Sequence, residues 1–351
     1  MLNALFGRFS KDIGIDLGTA NTRIYVKDRG ILVDEPSVVA LNTKTDQIIA
    51  VGKEAEAMKG KTPSHINVVS PLADGIISDF EVCEKMLRYF IEKIHSDSFQ
   101  LLPRPRVLVA IPLDLTEVEK KAVEDAVLGA GAREVLLTDQ IIAGAIGARI
   151  PIQEPNGHMV IDMGGGRIEI AVISLSGVVT WKSLELSSEQ FDQDIIQFAR
   201  HEFNILLGKS MAESAKKKIG SAVSLPEILE MKVRGRNLIS GLPKEVGISD
   251  GQIRHAISKS LRFFSDNVKA TLEATPPELV ADIYQRGITL IGAGSLLKGI
   301  DQALSEAMSI PVQIADDPST CVVRGTGIIL EDINAMKEVI LPSTQQEAII
   351  R

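Results

Sequence analysis

The sequence is short of cysteine, of aromatic residues and of basic charge, and each shortage closes off a class of protein. Two cysteines among 351 residues, Cys83 and Cys321, cannot build a disulfide framework or a four-thiolate zinc site, and they suit a reducing compartment. Five scattered histidines (His65, His95, His158, His201 and His255) show no metal-ligand spacing. Lysine and arginine number 38 against 46 aspartate and glutamate, a formal charge of −8, which argues against nucleic acid as a partner. No apolar run reaches the roughly 18 residues of a membrane span. The first nine residues lack an uninterrupted signal-peptide core. Aromatics are 4%, so Ile, Val, Leu and Ala fill the apolar quota, a bias that suits buried parallel strands and helices better than a β-sandwich.

What is present is an ordinary globular balance, 45% hydrophobic and 24% charged, which excludes intrinsic disorder. At roughly 150 residues per domain the length fits about two domains. Strand-like runs fall at 13–16, 22–26, 37–41, 107–111, 135–137, 159–162, 168–174 and 288–291. Helix-like runs fall at 79–96, 116–129, 141–148, 188–206, 212–219, 249–273 and 296–308. Thr116 with Glu119 reads as a capping box. The alternation predicts an α/β fold built of βαβ units.

One strand-turn-strand pattern occurs twice. Gly14-Ile-Asp16-Leu-Gly18-Thr-Ala-Asn-Thr-Arg-Ile-Tyr-Val26 is echoed by Val160-Ile-Asp162-Met-Gly164-Gly-Gly-Arg-Ile-Glu-Ile-Ala-Val172. The spacing predicts two related lobes. Segments 34–76 and 187–248 read as insertions into them, the second helical and charged. Lobe I is expected over 1–148 plus 318–351 and lobe II over 149–317. Asp16 and Asp162 each end an apolar strand, where a carboxylate can hold hydrated Mg²⁺. Gly18, Thr19, Ala20 and Asn21, and Gly164, Gly165 and Gly166, offer backbone N–H groups to phosphate oxygens. Carboxylates beside polyphosphate make sense only with a metal between them. A third turn, Gly292, Ala293, Gly294 and Ser295, is expected to end a strand and open a helix. A Walker loop, a dinucleotide fingerprint and a nucleophile elbow are all missing.

Two Asp-x-Gly phosphate turns and a late Gly-x-Gly turn resemble the actin, heat-shock chaperone and sugar-kinase superfamily. Asp16-Leu-Gly-Thr-Ala-Asn-Thr22, Glu35-Pro-Ser-Val-Val39, Pro71-Leu-Ala-Asp-Gly-Ile-Ile-Ser-Asp-Phe80, Gly129-Ala-Gly-Ala-Arg-Glu134, Val233-Arg-Gly-Arg-Asn237 and Cys321-Val-Val-Arg-Gly-Thr-Gly327 are more specific. They resemble the MreB family of bacterial actins that determine rod shape, over essentially the whole chain. The resemblance implies a duplicated fold of two lobes around a nucleotide cleft, each lobe carrying a smaller inserted subdomain. It implies ATP or ADP with Mg²⁺, assembly into antiparallel double protofilaments, and a cytoplasmic location on the inner face of the cytoplasmic membrane. Inner-membrane lipid and membrane proteins of the cell-elongation complex are the implied partners. Copolymerisation with a standard MreB stays open.

The departures from the family pattern surround one ligand. Gln140 stands where relatives carry a Glu linked to hydrolysis, and an amide orients water but takes no proton. Arg167 replaces a Thr beside the γ-phosphate position. Ser187-Ser188-Glu189 replaces Gly-Gly-Asp, and Gly292-Ala293-Gly294 replaces Gly-Gly-Gly. Glu213 and Lys216 match the adenosine-side pair, with Ser214 and Ala215 between them. Whether ATP is hydrolysed, weakly or at all, stays open. A non-polymerising or regulatory ATPase of the superfamily, chaperone- or kinase-like, is the alternative. Against it, no peptide-binding domain follows the nucleotide-binding lobes, and no acidic sugar-kinase base is evident.

The amino terminus carries a separate reading. Taken as a helix, residues 1–11 place Met1, Leu2, Leu5, Phe6 and Phe9 within an arc of roughly 140°, with Arg8 and Lys11 outside it. That pattern predicts a short interfacial helix, with Phe99, Leu101 and Leu102 as a second apolar element. Binding is expected to be weak for a monomer and firm for an assembly presenting many copies. Deleting residues 1–9, or pairing Phe6→Ser with Phe9→Ser, is expected to lower liposome co-sedimentation of the assembled protein. Undiminished sedimentation would rule out this anchor.

Overall fold

The computed structural model describes residues 11–95 and 104–342. They fall into two compact units, one made of Met1–Pro155, Leu175–Gly177 and Ser319–Arg351, the other of Asn156–Ser174 and Val178–Pro318.

Unit 1 opens with the antiparallel strands β1 (Ile13–Leu17), β2 (Asn21–Val26) and β3 (Gly30–Pro36). Next come β4 (Val39–Asn42), β5 (Gln47–Val51), α1 (Lys53–Met58), β6 (Ile66–Val69), β7 (Leu72–Ala73), β8 (Ile76–Ile77) and α2 (Phe80–His95). The strand β9 (Arg106–Ile111) leads through α3 (Glu117–Gly129) to β10 (Glu134–Asp139) and α4 (Gln140–Gly147). The main sheet runs β10-β9-β1-β2-β3, with β9 parallel to both β1 and β10.

Unit 2 repeats this plan. Its strands β11 (His158–Met163), β12 (Ile168–Ser174) and β13 (Gly177–Leu184) precede α5 (Ser188–Phe203), β14 (Ile205–Leu206), α6 (Lys209–Ile219), β15 (Glu230–Asn237) and β16 (Pro243–Ser249). Then follow α7 (Asp250–Glu273), α8 (Pro277–Arg286), β17 (Ile288–Ile291), α9 (Ile300–Met308) and β18 (Val312–Ile314). The order β13-β12-β11-β17-β18, with β11/β17 and β17/β18 parallel, mirrors unit 1 strand for strand. Asp16 lies opposite Arg23 in one hairpin and Asp162 opposite Glu169 in the other. The two sequence patterns are therefore equivalent turns of a duplicated α/β fold. The chain returns to unit 1 through α10 (Cys321–Glu331).

Both central strands are buried end to end, which explains their unbroken apolar runs. The capping box at α3 is present, with the Glu119 N–H donating to Thr116 Oγ1 at 3.3 Å and the Thr116 N–H to Glu119 Oε2 at 2.8 Å. Other expectations need correction. The helix expected over 188–206 stops at Phe203, because Asn204 takes a left-handed conformation (φ 51°) and the next two residues pair with β15. The segment 187–248 is not all helical, since β14, β15 and β16 form a sheet of their own. The strand expected over 37–41 starts at Val39, because the Ser37 N–H is drawn to the Ala20 carbonyl. The helix expected over 296–308 begins at Ile300, after a 3₁₀ turn and a left-handed Gly299. The helices α8 and α10 were not expected at all.

Unit 1 is locked by helices packed with almost no side chain between them. A Cβ on Gly147 would overlap the Cys321 carbonyl, and one on Gly325 would overlap the Ala143 carbonyl. Farther along α10, Thr326 fills the space above Gly14, and Gly327 lies against the Tyr25 ring. The Tyr25 hydroxyl donates to Glu331 Oε1 at 2.8 Å; burial first, and Glu331 second, push its pKa to about 12. In a well-packed interior an added methyl has nowhere to go, and overpacking costs about 1–3 kcal/mol. Gly147→Ala is expected to destabilise unit 1 by about that much despite alanine's better helix propensity. Gly247→Ala, in open space on β16, should change stability by less than about 0.5 kcal/mol. Chemical denaturation of both variants checks the contrast.

Candidate functional site

The first turn joins β1 to β2 through Gly18, Thr19 and Ala20. Ser37 grips it twice, its hydroxyl donating to the Gly18 carbonyl at 2.6 Å and its N–H to the Ala20 carbonyl at 3.0 Å. A peptide is planar and trans, so the N–H after a captured carbonyl points the opposite way. The Thr19 and Asn21 N–H groups therefore face away from Ser37. A Cβ on Gly18 would lie 2.7 Å from the Asn21 carbonyl oxygen, which explains the glycine. From another side, the Gly75 N–H donates to Thr19 Oγ1 at 2.8 Å. Gly75 belongs to an Asp74-Gly75 turn between β7 and β8 with φ of 49° and 78°, a preferred sequence for a tight hairpin. Asp16 is buried, 3.6 Å from Arg23 Nη1, and Arg23 Nε lies 3.0 Å from Asp34.

The second turn joins β11 to β12 through Gly164, Gly165, Gly166 and Arg167, closed by the Gly164 N–H donating to the Arg167 carbonyl at 2.9 Å. Here the start of α5 does what Ser37 does in unit 1. The Ser188 N–H donates to the Gly164 carbonyl at 3.2 Å and the Glu189 N–H to the Gly165 carbonyl at 3.3 Å. By the same planarity the Gly165 and Gly166 N–H groups point away from α5 as consecutive donors, the arrangement of an anion nest. Arg167 donates through Nη1 to Ser183 Oγ on β13 at 3.2 Å. Asp162 is buried beside this turn.

The third turn packs onto the second. Gly292 has φ 80° and ψ 157°, a conformation that only glycine adopts readily. A Cβ there would run into Asp162 Oδ1 and lie 2.6 Å from the Met163 carbonyl oxygen, and one on Gly294 would lie 2.8 Å from that same oxygen. Ala293 is exposed, whereas Ser295 is fully buried and donates to the Gly292 carbonyl at 2.7 Å. Along α6, Glu213 and Ser214 are half-buried at the surface, Ala215 is in the core, and Lys216 is buried. Four consecutive residues span more than one turn, so they do not share a face. Glu213 pairs with Lys217 at 2.6 Å. Burial works against its ionisation, but Lys217 first and then Lys216 hold its carboxyl below the usual range. The Lys216 ammonium lies 2.8 Å from Asp192 Oδ1 and donates to the hydroxyl and carbonyl of Ser188.

Gln140 opens α4 and is half-buried, with Asp139 at its N-cap. Ser37, Gly75, Ser183, Ser188 and Asp192 all hold these turns, and sequence reasoning singled out none of them as site residues. Ser37 and Gly75 lie inside family motifs, which was the available signal. Ser188 lies in the Ser187-Ser188-Glu189 segment that departs from the family pattern, whereas Ser183 and Asp192 had no signal beyond strand and helix spacing. Met1, Leu2, Leu5, Phe6, Phe9, Phe99, Leu101 and Leu102 lie outside the described residues. Among the described residues no helix is long and apolar enough to cross a membrane.

Comparison with known proteins gives consistent results. The family model for MreB/Mbl protein matches residues 10–338. The cell shape-determining protein MreB of Escherichia coli K12 is 46% identical over 338 residues, covering 95% of this chain and 97% of that protein. The cell shape-determining protein Mbl of Bacillus subtilis 168 is 41% identical over 328 residues, 93% and 98% of the two chains. Among solved structures, MreB5 of Spiroplasma citri bound to ADP superposes with a TM-score of 0.89 at 38% identity, covering 94% of this chain and 98% of its own. A MamK double helical filament, at 19% identity and a TM-score of 0.76, shares the fold.

Burial pushes the Asp139 carboxyl above its ordinary pKa, and Lys120 only partly offsets this. A carboxyl raised in the folded state binds its proton more readily there than in the unfolded chain. Its contribution to stability is full below the unfolded pKa and is lost as pH rises through the folded one. Asp139→Asn is therefore expected to be more stable than wild type at neutral pH. The gain should shrink towards about pH 4, as denaturation midpoints at the two pH values would show.

Proposed function

The chain belongs to the MreB/Mbl family, and from that premise we propose that it is an ATP- and ADP-binding bacterial actin that polymerises into membrane-associated filaments and helps set cell shape by organising cell-wall elongation. The observation that carries this reading is the doubled turn, in which captured carbonyls aim N–H donors outward beside a buried aspartate, Thr19 and Asn21 in one unit and Gly165 and Gly166 in the other. The Spiroplasma citri relative has been solved with ADP and with AMPPNP, in keeping with a nucleotide as the ligand of these turns.

Mg²⁺ fits the donor set. Asp16 and Asp162 are single carboxylates at the ends of buried strands, each beside a turn. Among the described residues no group of three or more His, Cys, Asp or Glu could cage a metal. An ion held here takes most of its ligands from water and phosphate, as Mg²⁺ commonly does. When bound, it neutralises phosphate charge that a neighbouring aspartate would otherwise repel. Gly18, Thr19, Ala20 and Asn21 with Asp16, and Gly164, Gly165 and Gly166 with Asp162, are the assigned phosphate- and metal-side groups. Gly292, Ala293, Gly294, Glu213 and Ser214 are assigned to the adenosine side. Arg167 adds a permanent cation to the second turn, with one of its nitrogens committed to Ser183. Hydrolysis is slow on this reading, because Gln140 positions water without accepting its proton.

Self-association into antiparallel double protofilaments, attachment through the amino terminus to inner-membrane lipid, and contact with membrane proteins of the elongation complex complete the proposal. Ultracentrifugation of the full chain is its test. ATP with Mg²⁺ should shift the protein into the pellet, and protein that stays in the supernatant at high concentration would defeat the filament reading. Phosphate release by the pelleted protein should be slow, and Gln140→Glu should raise it by at least about tenfold, within what a general base contributes. Equal, rapid release by both would remove Gln140 from the account.

A further inference from the structure

We propose that Ser37 is a positioning residue for the turn formed by Gly18, Thr19 and Ala20, its hydroxyl fixing the direction of the Thr19 N–H without touching the ligand. The inference rests on the nucleotide-binding reading of that turn.

Ser37 reaches the turn for local reasons. Strand β3 ends at Pro36, which lies opposite Asn21, the first residue after the turn. Proline has no N–H to continue the ladder. The Val38 N–H donates back to the Pro36 carbonyl at 2.9 Å, a three-residue turn centred on Ser37. Ser37 is fully buried there, as is Thr22, and their hydroxyls lie 2.9 Å apart. A hydroxyl has one proton to give and two lone pairs to receive. The Ser37 proton goes to the Gly18 carbonyl at 2.6 Å, so Thr22 donates to Ser37. The relay from Thr22 through Ser37 to Gly18 thus has one direction, and each bond in such a chain polarises the next.

Four carbonyls are captured in the two phosphate turns. Those of Ala20, Gly164 and Gly165 are held by the backbone N–H groups of Ser37, Ser188 and Glu189, which a change of side chain leaves in place. The Gly18 carbonyl is held by a side-chain hydroxyl. It shares its peptide plane with the Thr19 N–H, while the Ala20 carbonyl shares its own with the Asn21 N–H. Removing the hydroxyl therefore frees the Thr19 donor and leaves the Asn21 donor aimed. The bond from the Gly75 N–H to Thr19 Oγ1 steadies the Thr19 side chain, not the peptide plane before it, and does not replace Ser37.

The consequence is specific to phosphate. An aimed donor needs no ordering when an anion arrives, whereas a freed one does, and that cost appears as lost affinity. ATP and ADP bear it because their phosphates meet the turn. Adenosine, without phosphate, does not.

The experiment is calorimetric titration of the full-length protein with ATP and ADP, each with Mg²⁺, and with adenosine. Ser37→Ala should weaken ATP and ADP by about three- to tenfold, the worth of one hydrogen bond, and adenosine by less than about twofold. Ser37→Thr and Ser37→Val add the same bulk and differ in the hydroxyl, so comparing them removes packing from the question. The Thr variant should bind ATP at least about threefold more tightly than the Val variant. Gly147→Ala, which crowds the Cys321 carbonyl elsewhere in unit 1, serves as a destabilised control and should keep the wild-type ratio of ATP to adenosine affinity. In amide spectra of the ligand-free protein, Ser37→Ala should shift the Thr19 signal more than that of Asn21. Wild-type ATP affinity in Ser37→Ala, or equal ATP affinity in the Thr and Val variants, would overturn the inference and leave the functional reading standing. No ATP binding by the wild-type protein would overturn both.

Discussion

A backbone carbonyl and the N–H that follows it share one rigid plane, so whatever captures the carbonyl aims the N–H. The chemistry of both units hangs on that constraint. In unit 1 a serine from a neighbouring segment takes two carbonyls of the turn. In unit 2 the first turn of a helix takes two. These captors differ in kind, yet they fix the same thing, a short row of donors beside a buried aspartate. Orientation paid for during folding is orientation that a ligand need not impose on binding.

Charge is arranged around these turns to suit an acidic chain. A net charge of −8 repels anions at long range, and cations stand locally beside these turns. Asp16 sits against Arg23, which Asp34 also holds. Arg167 brings a cation to the second turn and is steadied by Ser183. Deeper in unit 2, Lys216 neutralises Asp192, whose carboxyl burial still pushes above its ordinary range. Buried ion pairs add little net stability, because desolvation offsets most of the attraction, but each specifies one arrangement of the elements that carry it.

Membership of the MreB/Mbl family gives several motifs a physical meaning. Glu35 accepts from the Lys53 N–H at 2.9 Å and from Lys93 at 3.2 Å, tying the end of β3 to α1 and α2. Burial opposes its ionisation, but those two partners hold its carboxyl below the usual range. Gly235 lets β14 approach β15, since a Cβ there would strike the Leu206 carbonyl. Asn237 caps the β15–β16 loop by accepting from the Ile239 and Ser240 N–H groups. Ser188, where the resemblance expects a glycine, supplies two acceptors to Lys216.

By itself the sequence determined the α/β class, the duplication, the capping box of α3 and the turns worth inspecting. All of these are local, since apolar runs, cap residues and glycines report their own backbone conformation directly. Gly18, Gly164 and Gly292 were legible because few other residues tolerate their crowding or their φ. Tertiary structure decided what holds those turns. Ser37 lies 19 residues from Gly18, Gly75 lies 56 from Thr19, and Lys216 lies 28 from Ser188, and no period in the chain encodes such meetings. It also decided that α10 is a helix. The segment Cys321-Val-Val-Arg-Gly-Thr-Gly327 carries two glycines and three β-branched residues, poor local helix formers. Packing against α4, where a side chain at Gly325 would not fit, overrides that propensity. The divided roles of Glu213, Ser214, Ala215 and Lys216 follow for the same reason, because adjacent residues on a helix face different neighbours, and only the fold says which.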